Sequence, residues 1–308
     1  MPDISVVIAT RNRAALLEPC LTFACEQTLD PSRYEICIVD NGSTDETPQI
    51  IERIRARYPR HSLRSFYEDQ PGVCRARNRA LAQIESDYVA ITDDDVRVSP
   101  TWLEQFLARF QEFGDKLAIV GGKIDPIWAT PKPDWLGKDL IGYSSAEVDL
   151  GEIGRFVNER EYFIECNSCY RRSALAKAGN FPEGLGRVGT YLLSGENVVE
   201  AHIKDQGGLA YYDPSIIVKH VIHAERLTPL WFRQRLFWQG VSGFAVREYQ
   251  RKHGMTVTGD AFLNLPLKPE DWSFLNQDTA DGLLDSVFYF QSLGFALALT
   301  GIIPVEVA

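Results

Sequence analysis

The stretch DYVAITDDDVRV, Asp87 to Val98, decides how the chain folds. An apolar run, Tyr88 to Ile91, ends at Thr92 and meets three consecutive aspartates, Asp93, Asp94 and Asp95. A short apolar run bounded by polar residues reads as a buried strand. Three adjacent carboxylates repel one another, so something must offset their charge. If the chain stays extended, the two-residue strand period puts Asp93 and Asp95 on one side and turns Asp94 away. Two same-side carboxylates at a strand end suit a hard divalent cation, Mn2+ or Mg2+, shared with substrate phosphates. The plainer alternative is a solvated acidic turn before the helix that Pro100 opens, because acids favour helix N-termini.

Working outward, strands and helices alternate over the first hundred residues. ISVVIA (Ile4 to Ala9), YEICIVD (Tyr34 to Asp40), LRSFYE, DYVAIT and LAIVGGKI are strand-like; Asn12 to Gln27, the segment after Asn41-Gly42, GVCRARNRALAQIE and WLEQFLARF have helical spacing. Ser99 is the expected cap of the last of these helices, with Pro100 in its first position. Fully apolar strands alternating with helices predict an α/β fold, a parallel sheet covered on both faces. Ligands of such sheets bind outside the carboxyl ends of the strands. Thr10, Asp40 and the three aspartates each follow a strand and should therefore converge.

After Ile124 the alternation stops. DPIWATPKPDWLGKD reads as an ordered loop, FIECNSCYRRSALAKAG as a strand feeding a helix, and AYYDPSIIVKHVIH as strand with a turn at Asp213-Pro214. From Thr228 the chain is helical. The expected division is a catalytic domain over 1–225 and a mostly helical extension over 226–308.

The formal net charge of -10 argues against a nucleic-acid surface, which needs clustered Lys and Arg. The start MPDISVV lacks the pattern of a secretory signal, and six irregularly spaced cysteines fit reduced thiols, so a cytoplasmic protein is expected. Cys166 and Cys169 form a C-x-x-C, but a structural zinc site would want a second pair nearby. The uncharged segment 286–305 is long enough for a membrane span, yet Ser286, Gln291, Ser292 and Thr300 interrupt it. A packed helix fits better; a contact with another copy or a peripheral contact at the inner membrane face is the alternative.

The motifs SVVIATRNRAALLEPCL, IVDNGSTDET, GVCRARNRAL, AITDDDVRV, AGNFPEGLG and SGEN, in this order and spacing, resemble glycosyltransferase family 2. The resemblance covers about Ile4 to His223. It implies the GT-A fold, a mainly parallel Rossmann-like sheet flanked by helices, and a metal-dependent, inverting transfer from a nucleotide-sugar donor. Carried over by position, it implies that Thr10 and Arg11 lie near the nucleotide and that Asp40 recognises the base. Arg77 and Asn78 lie under the nucleotide and phosphates, and Asp93 lies near ribose and metal. Asp95 and His220 are metal ligands, with Mn2+ or Mg2+ as cofactor; His223 is a substitute for His220. Each has a bland alternative: a turn for Asp40, a basic helix face for Arg77 and Asn78, a structural role for His220.

The sequence also departs from the family pattern. The catalytic base is expected in an acidic pair, but here Glu196 is followed by Asn197, and an amide cannot act as a base. Glu196 is the expected base and Glu200 the fallback; a donor-binding protein with weak or no transfer is the remaining reading. The Q-x-x-R-W element of processive members is altered, with Phe237 where Arg is expected, so single addition to a glycan or lipid-linked saccharide is favoured. Arg226, Arg233 and Arg235 are candidate phosphate contacts. A nucleotidyltransferase would want a Gly-rich loop after the first strand, and a dinucleotide-binding oxidoreductase G-x-G-x-x-G; IATRNRAA has no Gly.

Overall fold

A computed structural model describes residues 1–144, 147–159, 161–188, 198–257 and 273–305. The strands are β1 (Ile4–Thr10), β2 (Tyr34–Asp40), β3 (Ser62–Tyr67), β4 (Tyr88–Asp93), β5 (Val96–Val98), β6 (Leu117–Trp128), β7 (Arg155–Phe156), β8 (Ser168–Arg171) and β9 (Leu209–Ile222). The helices are α1 (Ala14–Cys25), α2 (Thr47–Arg57), α3 (Val73–Leu81), α4 (Trp102–Phe113), α5 (Lys138–Ser144), α6 (Arg172–Lys177), α7 (Val198–Asp205), α8 (Pro229–Lys252) and α9 (Ala280–Leu299). The chain divides into two compact units: Met1–Asp125 with Val148–Phe181 and Asn197–His220, and Pro126–Glu147 with Pro182–Glu196 and Val221–Ala308.

The first unit carries the sheet, in the order β3-β2-β1-β4-β8-β6-β9-β5, with β7 beside β9. β3, β2, β1 and β4 are parallel. β2 is buried throughout and β1 and β4 nearly so, as strands covered on both faces require, whereas β3 at the sheet edge is half exposed. The sheet is mixed rather than parallel throughout, because β8 inserts antiparallel between β4 and β6.

Several boundaries differ from the sequence expectation. α3 stops at Leu81; beyond it Arg64 donates to the Gln83 carbonyl, and the Ser86 hydroxyl joins a buried network with Ser5, itself bonded to Glu35. α4 begins at Trp102, and its N-cap is Thr101 without a side-chain bond, not Ser99. β6 runs on through the expected loop to Trp128. β9 has no turn at Asp213-Pro214; Asp213 instead accepts from the Ser215 amide and hydroxyl, and the strand continues.

In the second unit α5, α8 and α9 share a core of Leu136, Leu140, Phe232, Leu236, Leu283 and Val287. Thr228 caps α8 and Thr279 caps α9, each accepting from a first-turn amide. α9 is long and apolar enough to cross a membrane, but half of its apolar window is buried, and Ser286, Gln291 and Ser292 lie inside the packing. α8 and α9 approach closely at glycines. A Cβ on Gly240 would collide with the Gln291 carbonyl, and one on Gly294 with the Phe237 carbonyl.

Candidate active site

The register of the parallel strands sets the site. Thr10 pairs with Asp40, Ala9 with Asp93, and Asp40 with Tyr67, so the polar residues that end β1, β2 and β4 share one edge of the sheet. The chain then turns at Asp94 and Asp95 before β5. This turn ends the two-residue period, and the expectation that Asp94 points away fails. Asp94 and Asp95 are both buried and share one cation: Arg13 Nη1 lies 2.7 Å from Asp94 Oδ1 and 2.9 Å from Asp95 Oδ2. Thr10 Oγ1 donates to Asp94 Oδ2 at 2.7 Å.

Asp93 is the more exposed of the three. It faces Arg77, whose Nη2 is 3.1 Å from Asp93 Oδ1. Arg77 and Arg13 thus offset the charge of the aspartate run, and the His220 imidazole lies beside it, its Nε2 3.3 Å from Asp95 Oδ1. β5 and β9 make that last contact: Val96 pairs with His220. Burial and the neighbouring Asp95 push the Asp94 carboxyl up to about 6, with Arg13 and the Thr10 hydroxyl pulling against them. The Cys20 thiol, which donates to the Asp93 carbonyl, is raised well above the usual range by burial and by all three aspartates.

The other expected residues are placed as follows. Arg11 is exposed. Asp40 does form the turn of the bland alternative, its Oδ1 accepting from the Ser43 amide at 2.8 Å, with Gly42 at φ 74 completing it. Asn41 ties this turn to the next loop: its Nδ2 donates to the carbonyls of Glu68 and Gln70, and its Oδ1 accepts from the Gly72 amide. Arg77 is buried under Asp93, its guanidinium 5.3 Å from the Phe181 ring centroid. Asn78 turns to Phe181 as well and bonds its backbone through both ends of the amide. Glu196 and Asn197 lie outside the described residues. Glu200 is described and is unsuited as a base for an external acceptor. It is fully buried, with Oε2 accepting from the Phe163 amide and Oε1 from the Tyr170 hydroxyl.

Asp93, Asp95 and His220 are not gathered at one point, and among the described residues no three His, Cys, Asp or Glu side chains are arranged to hold an ion. Arg77 draws Asp93 aside. Asp95 and His220 do fit as a pair. Adjacent donors of an octahedral ion with bonds of about 2.1 Å sit roughly 3 Å apart, near the observed 3.3 Å. One carboxylate and one imidazole suit Mn2+. None of the six cysteines, Cys166 and Cys169 included, forms a disulfide, and all are buried.

Arg13 is the residue that sequence reasoning missed. The signal was present, because a buried acidic triplet demands a cation and RNR offers two arginines directly after β1. Arg11 is exposed, and Arg13, at the N-cap of α1, turns inward.

This arrangement is the GT-A fold. Residues 5–177 match the model of glycosyl transferase family 2, and the chain belongs to that family. Glycosyltransferase AglE of Haloferax volcanii is 32% identical over 186 residues, which span 60% of this chain and 58% of that protein, so less than two thirds of its length is matched. The glucosyl-dolichyl phosphate glucuronosyltransferase of the same organism is 24% identical, over 78% of this chain and 75% of that one. The mannosyltransferase PcManGT from Pyrobaculum calidifontis, solved with GDP-Man and Mn2+, superposes with a TM-score of 0.61 at 18% identity, covering 99% of this chain and 76% of that one.

Proposed function

We propose that the chain is a metal-dependent, inverting glycosyltransferase that moves a single sugar from a nucleotide-diphosphate donor to a hydroxyl acceptor. The observation that carries this reading is the shared edge of β1, β2 and β4, where Thr10, Asp40 and Asp93 to Asp95 meet, with His220 against Asp95.

Asp40 is assigned to the base, accepting a ring N–H beside the turn it holds. Arg11 is the exposed cation for the donor phosphates. Thr10 fixes Asp94, and Asn78 fixes the Phe181 loop; both are positioning residues. Arg77 orients Asp93 toward the ribose side. Asp95 and His220 would hold Mn2+ or Mg2+, which when bound offsets charge on the departing diphosphate. Glu196 is assigned as the base that takes the acceptor proton as its oxygen attacks the anomeric carbon. A lipid-linked saccharide is the favoured acceptor, supported by the relative named for glucosyl-dolichyl phosphate. Such an acceptor fits a cytoplasmic protein peripheral to the membrane, with Leu284 and Phe288 of α9 exposed.

The test is a thermal-shift panel of GDP-, UDP- and TDP-sugars with and without Mn2+, because a ligand that binds only the native state raises its melting temperature. One nucleotide class should stabilise the wild type in an Mn2+-dependent way, and Asp95→Ala should lose that shift while keeping its fold. Equal shifts in both proteins, or none in either, would overturn the assignment. Acceptor-dependent release of the nucleoside diphosphate then separates a transferase from a donor-binding protein.

A further inference from the structure

Arg13 makes an unusual pair of contacts. One nitrogen, Nη1, serves both Asp94 and Asp95, two carboxylates that water scarcely reaches. The two are not held alike. Asp94 has a second anchor in the Thr10 hydroxyl, which fixes it whatever Arg13 does. Asp95 faces the His220 imidazole across 3.3 Å, the spacing argued above for neighbouring ligands of one ion. Among the described residues Arg13 bonds through its side chain only to Asp94 and Asp95. Its side chain is a quarter exposed, it stands at the N-cap of α1 without capping it, and only its backbone carbonyl is tied into the helix, by the Leu16 and Leu17 amides.

A divalent ion beside Asp95 and a guanidinium on the same carboxylate repel each other. They compete for one anion in a low-dielectric site, where such repulsion is strong. We propose that Arg13 is a built-in counter-cation that stands in for the divalent ion. It neutralises Asp94 and Asp95 while the ion is absent, and it gives up Asp95 but keeps Asp94 when the ion arrives. The inference rests on the assignment of Asp95 and His220 as the metal pair. With Arg77 on Asp93, it accounts for the tolerance of three adjacent aspartates without metal. It also makes metal affinity a property set by a residue that is no ligand.

The experiment measures Mn2+ binding to the full chain, without donor, by the electron paramagnetic resonance signal of free Mn2+, together with melting temperatures with and without the ion. Arg13→Gln should bind Mn2+ about tenfold or more tightly than the wild type, since removing a neighbouring cation strengthens the anionic site. Its metal-free form should melt lower, and its gain in melting temperature on adding Mn2+ should be larger. Arg13→Lys, which keeps the charge without the fork, should fall between the two and serves if Arg13→Gln does not fold. An Arg13 that only shapes Asp95 for the ion gives the opposite sign, weaker Mn2+ binding on substitution. If the wild type binds Mn2+ in a His220-dependent way and neither variant binds more tightly, the inference falls and the metal assignment stands. If no form binds Mn2+, both fall.

Discussion

Asn78 grips Phe181 by both ends of its amide: Nδ2 donates to the Phe181 carbonyl at 2.8 Å, and Oδ1 accepts from the Phe181 amide at 3.1 Å. This closes a link of 103 residues between α3 and the loop after α6. The Phe181 ring lies under the Arg77 guanidinium that faces Asp93. Fold and site therefore share one clamp. Asn78→Ala removes two bonds at about 0.5–1.5 kcal/mol each, so a loss of about 1–3 kcal/mol in urea unfolding is expected. Asn78→Asp cannot donate to the carbonyl and should be no better than Ala. Wild-type stability in Asn78→Ala would reduce the clamp to a surface contact.

Glu200 gives the chain a pH dependence of stability. Burial pushes its carboxyl up to about 7, against the Phe163 amide, Lys204 and the Tyr170 hydroxyl, which all favour the ionised form. The unfolded carboxyl titrates near 4.5. Between these values the unfolded chain releases a proton that the folded chain keeps, so stability falls as pH rises from about 4.5 and has finished falling above about 7. The span corresponds to roughly 3 kcal/mol. Glu200→Gln should flatten this part of the profile and be the relatively more stable protein at pH 8 compared with pH 5. Parallel urea midpoints for both proteins from pH 5 to 8 would place the dependence elsewhere.

The α8–α9 contact depends on two residues that have no side chain. Gly240 meets the Gln291 carbonyl and Gly294 the Phe237 carbonyl, so a methyl group at either forces the helices apart. Overpacking of this kind costs about 1–3 kcal/mol. Gly294→Ala should lower the melting temperature of the chain. Gly142→Ala, where an added Cβ meets nothing within 4 Å, should leave stability unchanged or raise it. Equal melting temperatures for Gly294→Ala and Gly142→Ala would mean that the helices can separate at no cost.

The parts of this fold legible in the sequence are those governed by local pattern. β1, β2 and β4 are read from apolar runs, and the convergence of Thr10, Asp40 and the aspartates follows from strand ends alone. What depends on long-range pairing was not legible. The insertion of β8 between β4 and β6 leaves no local trace. The side on which Asp94 lies is decided by a turn at Asp94-Asp95 and by Arg13, more than 80 residues away in sequence. Glu200 has the residue type of a base and the right neighbourhood in sequence, but burial against Phe163 and Tyr170 removes it from that role.

With Glu200 enclosed, the assignment of the base rests on Glu196. The family's acidic pair is reduced here to Glu196-Asn197, so under the proposed function a single carboxylate takes the acceptor proton. A missing general base typically costs 10²–10⁴-fold in rate. Glu196→Gln should therefore lower acceptor-dependent turnover by about a hundredfold or more while leaving the Mn2+-dependent binding of the donor unchanged, because the amide preserves shape and removes only basicity. Calorimetry of donor binding alongside nucleoside diphosphate release separates the two effects. Loss of donor binding in Glu196→Gln would instead make the residue part of the donor site. Full turnover would show that the proton leaves by another group, and Glu200→Gln with unchanged turnover would confirm that this group is not Glu200.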